Sequence, residues 1–88
     1  MYKLERTQEL LRKLSSITTI LEERYDININ VSIKDWKVVI TLCGISNEID
    51  VEEYYFLSPS SLLMIIKKMF YLDILDNSII DSIDLMIK

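Results

Sequence analysis

The sequence predicts an α+β fold: a single domain with a three-stranded antiparallel meander covered on one face by helices, in the order α-β-β-β-α. An amphipathic helical stretch comes first, and two runs of alternating apolar and polar residues follow it. A second apolar stretch with helical spacing comes after them. Eighty-eight residues suffice for one core and not for two, so residues 1–88 are expected to form one domain.

The first element is predicted to be a helix from Tyr2 to about Arg24. Its apolar residues form one stripe, whereas charged and hydroxyl side chains lie on the opposite side, which is typical of a helix that packs on a core. Glu9 is placed to pair with Arg12 and Lys13 at the i+3 and i+4 positions. The stripe consists of Leu4, Leu10, Leu11, Leu14, Ile17, Leu21 and Tyr25.

Two strands are predicted over residues 27–33 and 36–42, where apolar residues alternate with polar ones. This period of two indicates a hairpin with one buried face. Lys34 and Asp35 are expected to form the two-residue turn between the strands. The pairs on the buried face would then be Ile33–Trp36, Val31–Val38, Ile29–Ile40 and Ile27–Leu42.

A third, shorter strand is predicted around Ile49 and Val51. Residues 44–47 are expected to connect it to the hairpin as a four-residue loop that keeps Ile49 opposite Leu42. This strand would be an edge of the sheet. Its outward face would carry the acidic side chains of Glu48, Asp50 and Glu52.

Ser58 and Pro59 are predicted to begin a helix that runs to about Leu72, because serine caps free N–H groups and proline is well suited to the first helical position. One apolar face of this helix would contact the sheet. A second apolar ridge, which one small sheet cannot also cover, predicts a homodimer with paired helices across a twofold axis. That ridge consists of Met64, Tyr71 and Leu75.

The tail, residues 77–88, fits either a short helix or a strand. Isoleucines at helical spacing, with Ser78 and Asp81 in a capping arrangement, favour the helix. The alternation of apolar and polar residues from Ile83 onward would equally serve a strand.

The composition argues against several classes of function. The net charge is −4, and residues 45–88 hold three basic and eight acidic residues, which disfavours nucleic acid and anionic membranes as partners. The chain has no histidine and only Cys43 as a thiol, so no catalytic, metal or cofactor site is expected, and the protein is predicted not to be an enzyme. No leader or membrane-spanning pattern is seen, which predicts a cytoplasmic protein.

The element order is also that of double-stranded-RNA-binding domains, which use basic residues at the start of their last helix. Here that start is Ser58-Pro59-Ser60-Ser61, and Lys67 and Lys68 come two turns later. RNA binding is therefore not expected.

In size, acidity and element order, the chain is similar to phage-encoded anti-CRISPR inhibitors, some of which are acidic helix–three-strand–helix domains. Over its first two-thirds it also resembles acidic dimeric secretion chaperones. The first resemblance implies a small acidic cytosolic inhibitor or adaptor of phage or mobile-element type. The second implies a homodimeric chaperone-like or regulatory domain.

The predicted partner-binding site is the acidic third strand and the aromatic segment after it. Three adjacent aromatic residues cannot all point inward from an extended segment, so at least one should be exposed as a binding hot spot. The acidic residues predict a protein partner with a basic surface, although they would also serve only to protect an edge strand. The site residues are Glu48, Asp50, Glu52, Glu53, Tyr54, Tyr55 and Phe56.

Overall fold

The computed structural model describes residues 2–87 and confirms the predicted order of elements and the α+β fold. One short helix, α2, lies between the third strand and the helix that starts at Pro59. The elements are α1 Tyr2–Tyr25, β1 Asn30–Lys34, β2 Lys37–Leu42, β3 Ile45–Asp50, α2 Val51–Tyr54, α3 Pro59–Phe70 and α4 Asn77–Met86.

Helix α1 buries the predicted stripe along most of its length. Leu10, Leu14, Ile17 and Leu21 have no exposed surface, whereas Leu4 is half exposed. Only the first turn of α1 therefore extends beyond the core, since Thr7 in the next turn is already buried. Within residues 2–87, no helix combines the length and the apolar character that a membrane span requires.

The three strands form an antiparallel sheet in the order β1-β2-β3, so β3 is an edge strand as predicted. The predicted register of the hairpin is wrong by two residues. Ile33 lies opposite Val38, and the turn is Asp35–Trp36, not Lys34–Asp35. Because a shift of two preserves the alternation, Val38 and Ile40 still lie on the buried face as predicted. The prediction is wrong for Trp36, which lies in the turn and is exposed.

The connection between β2 and β3 also differs from the prediction. Cys43 and Gly44 form a two-residue turn with φ angles of 51° and 80°, and Leu42 lies opposite Ile45. Turns with positive φ at both positions match the right-handed twist of the strands, which favours this tight turn over a four-residue loop. The third strand therefore starts earlier than predicted and ends at Asp50.

The centre of the core lies under β2. Val38 and Ile40 are fully buried between the sheet and the helices. Ile29 is also buried, but it lies just before β1, because the strand starts at Asn30 and not at the predicted residue 27. Val31 is only partly buried and Ile33 is 49% exposed, so β1 lies at the margin of the core.

The two last helices have clear caps. The Ser58 hydroxyl accepts a hydrogen bond from the Ser61 N–H at 3.3 Å, with Pro59 in the first turn of α3. The tail is a helix over residues 77–86, as favoured, and Lys88 lies outside the described residues. The cap of α4 is Asp76, which accepts from the N–H of Ile79 at 3.2 Å, rather than Ser78.

The ridge predicted for self-association is not one surface. Leu75 has no exposed surface because it belongs to the core, so its assignment to an exposed ridge is wrong. Met64 is 43% exposed and Tyr71 is 87% exposed. Tyr71 ends α3 in the left-handed conformation, with φ 55°, so the helical spacing that joined it to Leu75 does not continue.

Candidate functional site

The structure places the predicted site residues on the edge strand β3, on the short helix α2 and in the turn after α2, which contains Tyr55 and Phe56. Glu48 and Asp50 are exposed on β3, but Glu52 lies on α2, so its prediction as a strand residue is wrong. The aromatic residues are not equivalent. Tyr54 and Tyr55 are partly buried, whereas Phe56 is 63% exposed and contacts the Tyr55 ring edge-on at 5.5 Å.

Asp50 has a structural role in this region. Its carboxylate accepts a hydrogen bond from the N–H of Glu52 at 3.0 Å and caps α2. Capping a helix of one turn at this point ends the strand and turns the chain toward the aromatic residues.

Arg6 connects α1 to this surface. Its guanidinium donates a hydrogen bond to the carboxylate of Glu52 and lies 4.5 Å from the ring centre of Tyr2 and 4.6 Å from that of Tyr55. Partial loss of water lowers the pKa of Arg6, but the hydrogen bond and the charge of Glu52 outweigh this effect and raise the pKa overall. The negative charge of Glu52 is therefore paired with Arg6 within the protein. The guanidinium of Arg6 and the rings of Tyr2 and Tyr55 form a cation–π cluster.

Lys13 of α1 holds the aromatic segment, residues 54–56, in place through hydrogen bonds to backbone oxygens in it and just after it. It is 9% exposed, and its ammonium donates to the backbone oxygens of Tyr55 at 2.8 Å and Leu57 at 2.9 Å. The carboxylate of Glu9 lies 3.8 Å away, which confirms the predicted i, i+4 pair. The two hydrogen bonds hold the chain on either side of Phe56 against α1.

Replacing Lys13 with methionine, which keeps a long unbranched side chain but removes the ammonium group, is expected to lower the free energy of unfolding by about 1–3 kcal/mol. The reason is that two carbonyl groups lose their donor. Urea denaturation measures the change, and the exposed Lys68→Met on α3 serves as the control. Equal effects of the two substitutions would show that the contacts of Lys13 add nothing to stability.

Trp36 is the residue that the sequence prediction missed. It was expected in the core opposite Ile33, but it occupies the β1–β2 turn and is 53% exposed. Its backbone has φ 64°, in the left-handed region, and Asp35 before it has φ 52°. The turn brings the indole to a cleft of about 260 Å³ between the sheet and the start of α1. The cleft is lined by Lys3, Thr7, Asp35, Trp36, Lys37, Asp50, Val51 and Glu52.

This cleft joins the predicted acidic surface to two elements that are distant in sequence. Asp50 and Glu52 belong to the predicted site, whereas Lys3 comes from α1 and Trp36 from the hairpin. Of the two turn residues, only Asp35 is of a type that tolerates positive φ and favours turns. Tryptophan is so disfavoured at positive φ that sequence reasoning places it in a strand.

Two further clefts lie on other parts of the surface. One, at α3 and α4, contains Asp84, which accepts from the N–H of Ser60 at 2.7 Å and from its hydroxyl at 2.8 Å. The other is mostly apolar and lies between the β2–β3 turn and the end of α3, at Ile45 and Tyr71. Among the side chains of residues 2–87, no group of three or more cysteine and acidic residues is arranged to hold a metal ion.

Comparison with protein-family models, with curated proteins and with solved structures gives no significant match for this chain. The arrangement around Trp36 therefore has to be interpreted from its own chemistry.

Proposed function

We propose that the chain is a non-enzymatic protein-binding module, a small inhibitor or adaptor of the cytoplasm, of the kind that phages and mobile elements encode. Its docking surface is the Trp36 turn with the acidic edge of β3 and α2. The proposal depends most on one observation: a half-exposed tryptophan held at positive φ beside an open cleft.

The conformation of Trp36 supports a role outside the fold. A bulky residue in the left-handed region costs roughly 1–2 kcal/mol, and glycine or asparagine would avoid that cost. Burial of the indole does not fully offset this conformational cost, because about half of the side chain remains exposed to solvent. Strained backbone positions occur preferentially at functional sites, and tryptophan is one of the residues enriched in binding hot spots.

The charges around the cleft support a basic partner. Glu48 and Glu53 are exposed, and neither makes a side-chain hydrogen bond or ion pair with another residue of 2–87. The cleft itself has mixed charge, since Lys3 and Lys37 line it together with the acidic residues Asp35, Asp50 and Glu52. The acidic side chains of the β3–α2 rim that have no such partners within the described chain are Glu48 and Glu53. Such a rim speeds association with a basic surface, and the exposed Phe56 and Trp36 supply contact area.

The composition supports binding rather than catalysis. A chain with no histidine lacks the side chain that most often transfers protons near neutral pH. The exposed thiol of Cys43 is not part of the proposed docking surface, because it lies in the β2–β3 turn, at the opposite end of β3 from Asp50.

The test is a double charge reversal, Glu48→Lys with Glu53→Lys, in a tagged protein used to purify partners from a host lysate. We expect recovery of the proteins enriched by the wild type to fall by about tenfold or more, because rim charges steer association. Raising the salt concentration should reduce wild-type recovery far more than recovery by the variant. Asp50 and Glu52 are left unchanged because they cap α2 and bind Arg6.

The control is the reversal of Glu22 and Glu23, two exposed acids at the end of α1, which changes the net charge by the same amount. This variant should retain the partners. Equal losses in both variants would mean that only total charge matters, and full retention by the first variant would refute the acidic rim as a docking surface.

A further inference from the structure

The outer edge of β1 has unpaired backbone groups. In a two-residue hairpin the residues that flank the turn exchange hydrogen bonds, so Lys34, Ser32 and Asn30 are bonded to β2. The N–H and C=O groups of Val31 and Ile33 therefore point away from the sheet. No residue of the described chain forms a hydrogen bond with them.

The two edges of the sheet differ in their protection. On β3, Glu48 and Asp50 are charged and exposed, which is a common way to prevent strand pairing. On β1 there is no proline or acidic residue, and its one charge, Lys34, lies at the end of the strand. Ile33 is 49% exposed on the side of the sheet that carries the helices. The β1 edge therefore combines free hydrogen-bonding groups with uncovered apolar surface.

We propose that β1 pairs with β1 of a second copy of this chain, antiparallel and with Ser32 on the twofold axis, to form a continuous six-stranded sheet. All five residues of β1 then have partners. Val31 exchanges backbone hydrogen bonds with Ile33 of the second copy, and Asn30 lies opposite Lys34 of the second copy.

The charges and side chains of β1 favour a second copy of this chain as the partner that pairs with the β1 edge. In this register Val31 covers the exposed Ile33 of the other copy, twice. The two Lys34 residues lie at opposite ends of the pair, about 14 Å apart along the strands and beyond the Debye length of about 8 Å. Pairing β3 with another β3 would instead bring carboxylates of Glu48 and Asp50 together.

The size of this contact predicts a weak dimer. Five residues of strand on each side give less contact area than a standard interface of about 1,600 Å². We therefore expect dissociation in the micromolar range and a dimer that forms as concentration rises. This surface is separate from the predicted acidic rim on the other edge of the sheet.

A cysteine at the twofold axis tests the register. In a background of Cys43→Ser, Ser32→Cys should form a disulfide-linked dimer on mild oxidation, because residues that face each other in a non-hydrogen-bonded pair have Cα atoms about 4.5 Å apart. Asn30→Cys is the matched control, since it faces Lys34 of the second copy and not itself. We expect cross-linking of Ser32→Cys to be at least about tenfold faster, and equal rates would overturn the proposed register.

Sedimentation velocity tests the dimer without cross-linking. The wild type should show a concentration-dependent dimer up to about 500 µM, and Ile33→Lys should remain a monomer because it places a charge at the contact. Ile45→Lys is the control, since Ile45 is an exposed isoleucine on the other edge strand, and it should still dimerise. A monomeric wild type, or open polymers in place of dimers, would contradict the proposal.

Discussion

Replacing Ile40 with alanine is expected to lower the free energy of unfolding by about 2–5 kcal/mol. Ile40 is fully buried and lies in β2, the strand that pairs with both neighbours. The smaller side chain loses apolar contacts and leaves a cavity that strands paired on both sides cannot close. For a domain with a total stability of about 5–10 kcal/mol, this is a large share. We therefore expect that unfolding of the variant must be measured in a stabilising salt such as sulfate.

Val39→Ala is the matched control for this substitution. Val39 adjoins Ile40 in the same strand but points to the opposite face of the sheet, where it is partly exposed. Urea denaturation should show a loss for Val39→Ala that is well below half of that for Ile40→Ala. A larger effect at Val39 would mean that the inner and outer faces of the sheet are reversed.

The faces of the elements could be predicted because they depend on periodicity alone. Leu10, Leu14 and Ile17 repeat at helical spacing, and Val38 and Ile40 alternate with polar neighbours, so their burial follows from local sequence. The register could not be obtained in this way. Shifts of two residues leave every side chain on the same face, and only the turn distinguishes among them.

The turns carry residues that sequence reasoning disfavours at positive φ. Glycine occupies such a position only at Gly44, where φ is 80°. Each of the others has a side chain that makes the conformation costly, least so for aspartate. The remaining described residues with positive φ are Asp26, Asp35, Trp36, Cys43 and Tyr71.

The candidate site was predictable only in part. The exposure of Glu48 and Phe56 follows from charge and from the crowding of three aromatics. The contacts of Arg6 with Glu52 and of Lys13 with Leu57 join residues more than forty positions apart. Local patterns carry no information on such pairs, so the anchoring of the aromatic segment appears only in the three-dimensional structure.

Trp36→Gly separates the requirements of the fold from those of binding. The substitution creates an Asp-Gly turn, the preferred sequence for positive φ at both positions. Relief of backbone strain should offset part of the stability that is lost with the contacts of the half-buried indole. We therefore expect the variant to stay folded. If the indole is the hot spot of the docking surface, its removal should cost about 2 kcal/mol of binding free energy or more.

Tyr71→Gly is the matched control. Tyr71 is also an exposed aromatic residue at positive φ, and it lies at the end of α3, where glycine is favoured. It does not line the cleft beside Trp36. Circular dichroism should show both variants to be folded before their binding is compared.

The most direct test of the account is quantitative affinity purification with wild-type, Trp36→Gly and Tyr71→Gly proteins as baits in the same host lysate. We predict that Trp36→Gly loses the proteins enriched by the wild type by about tenfold or more, while Tyr71→Gly retains them. Retention of every wild-type partner by a folded Trp36→Gly protein would contradict the assignment of this turn as the docking site.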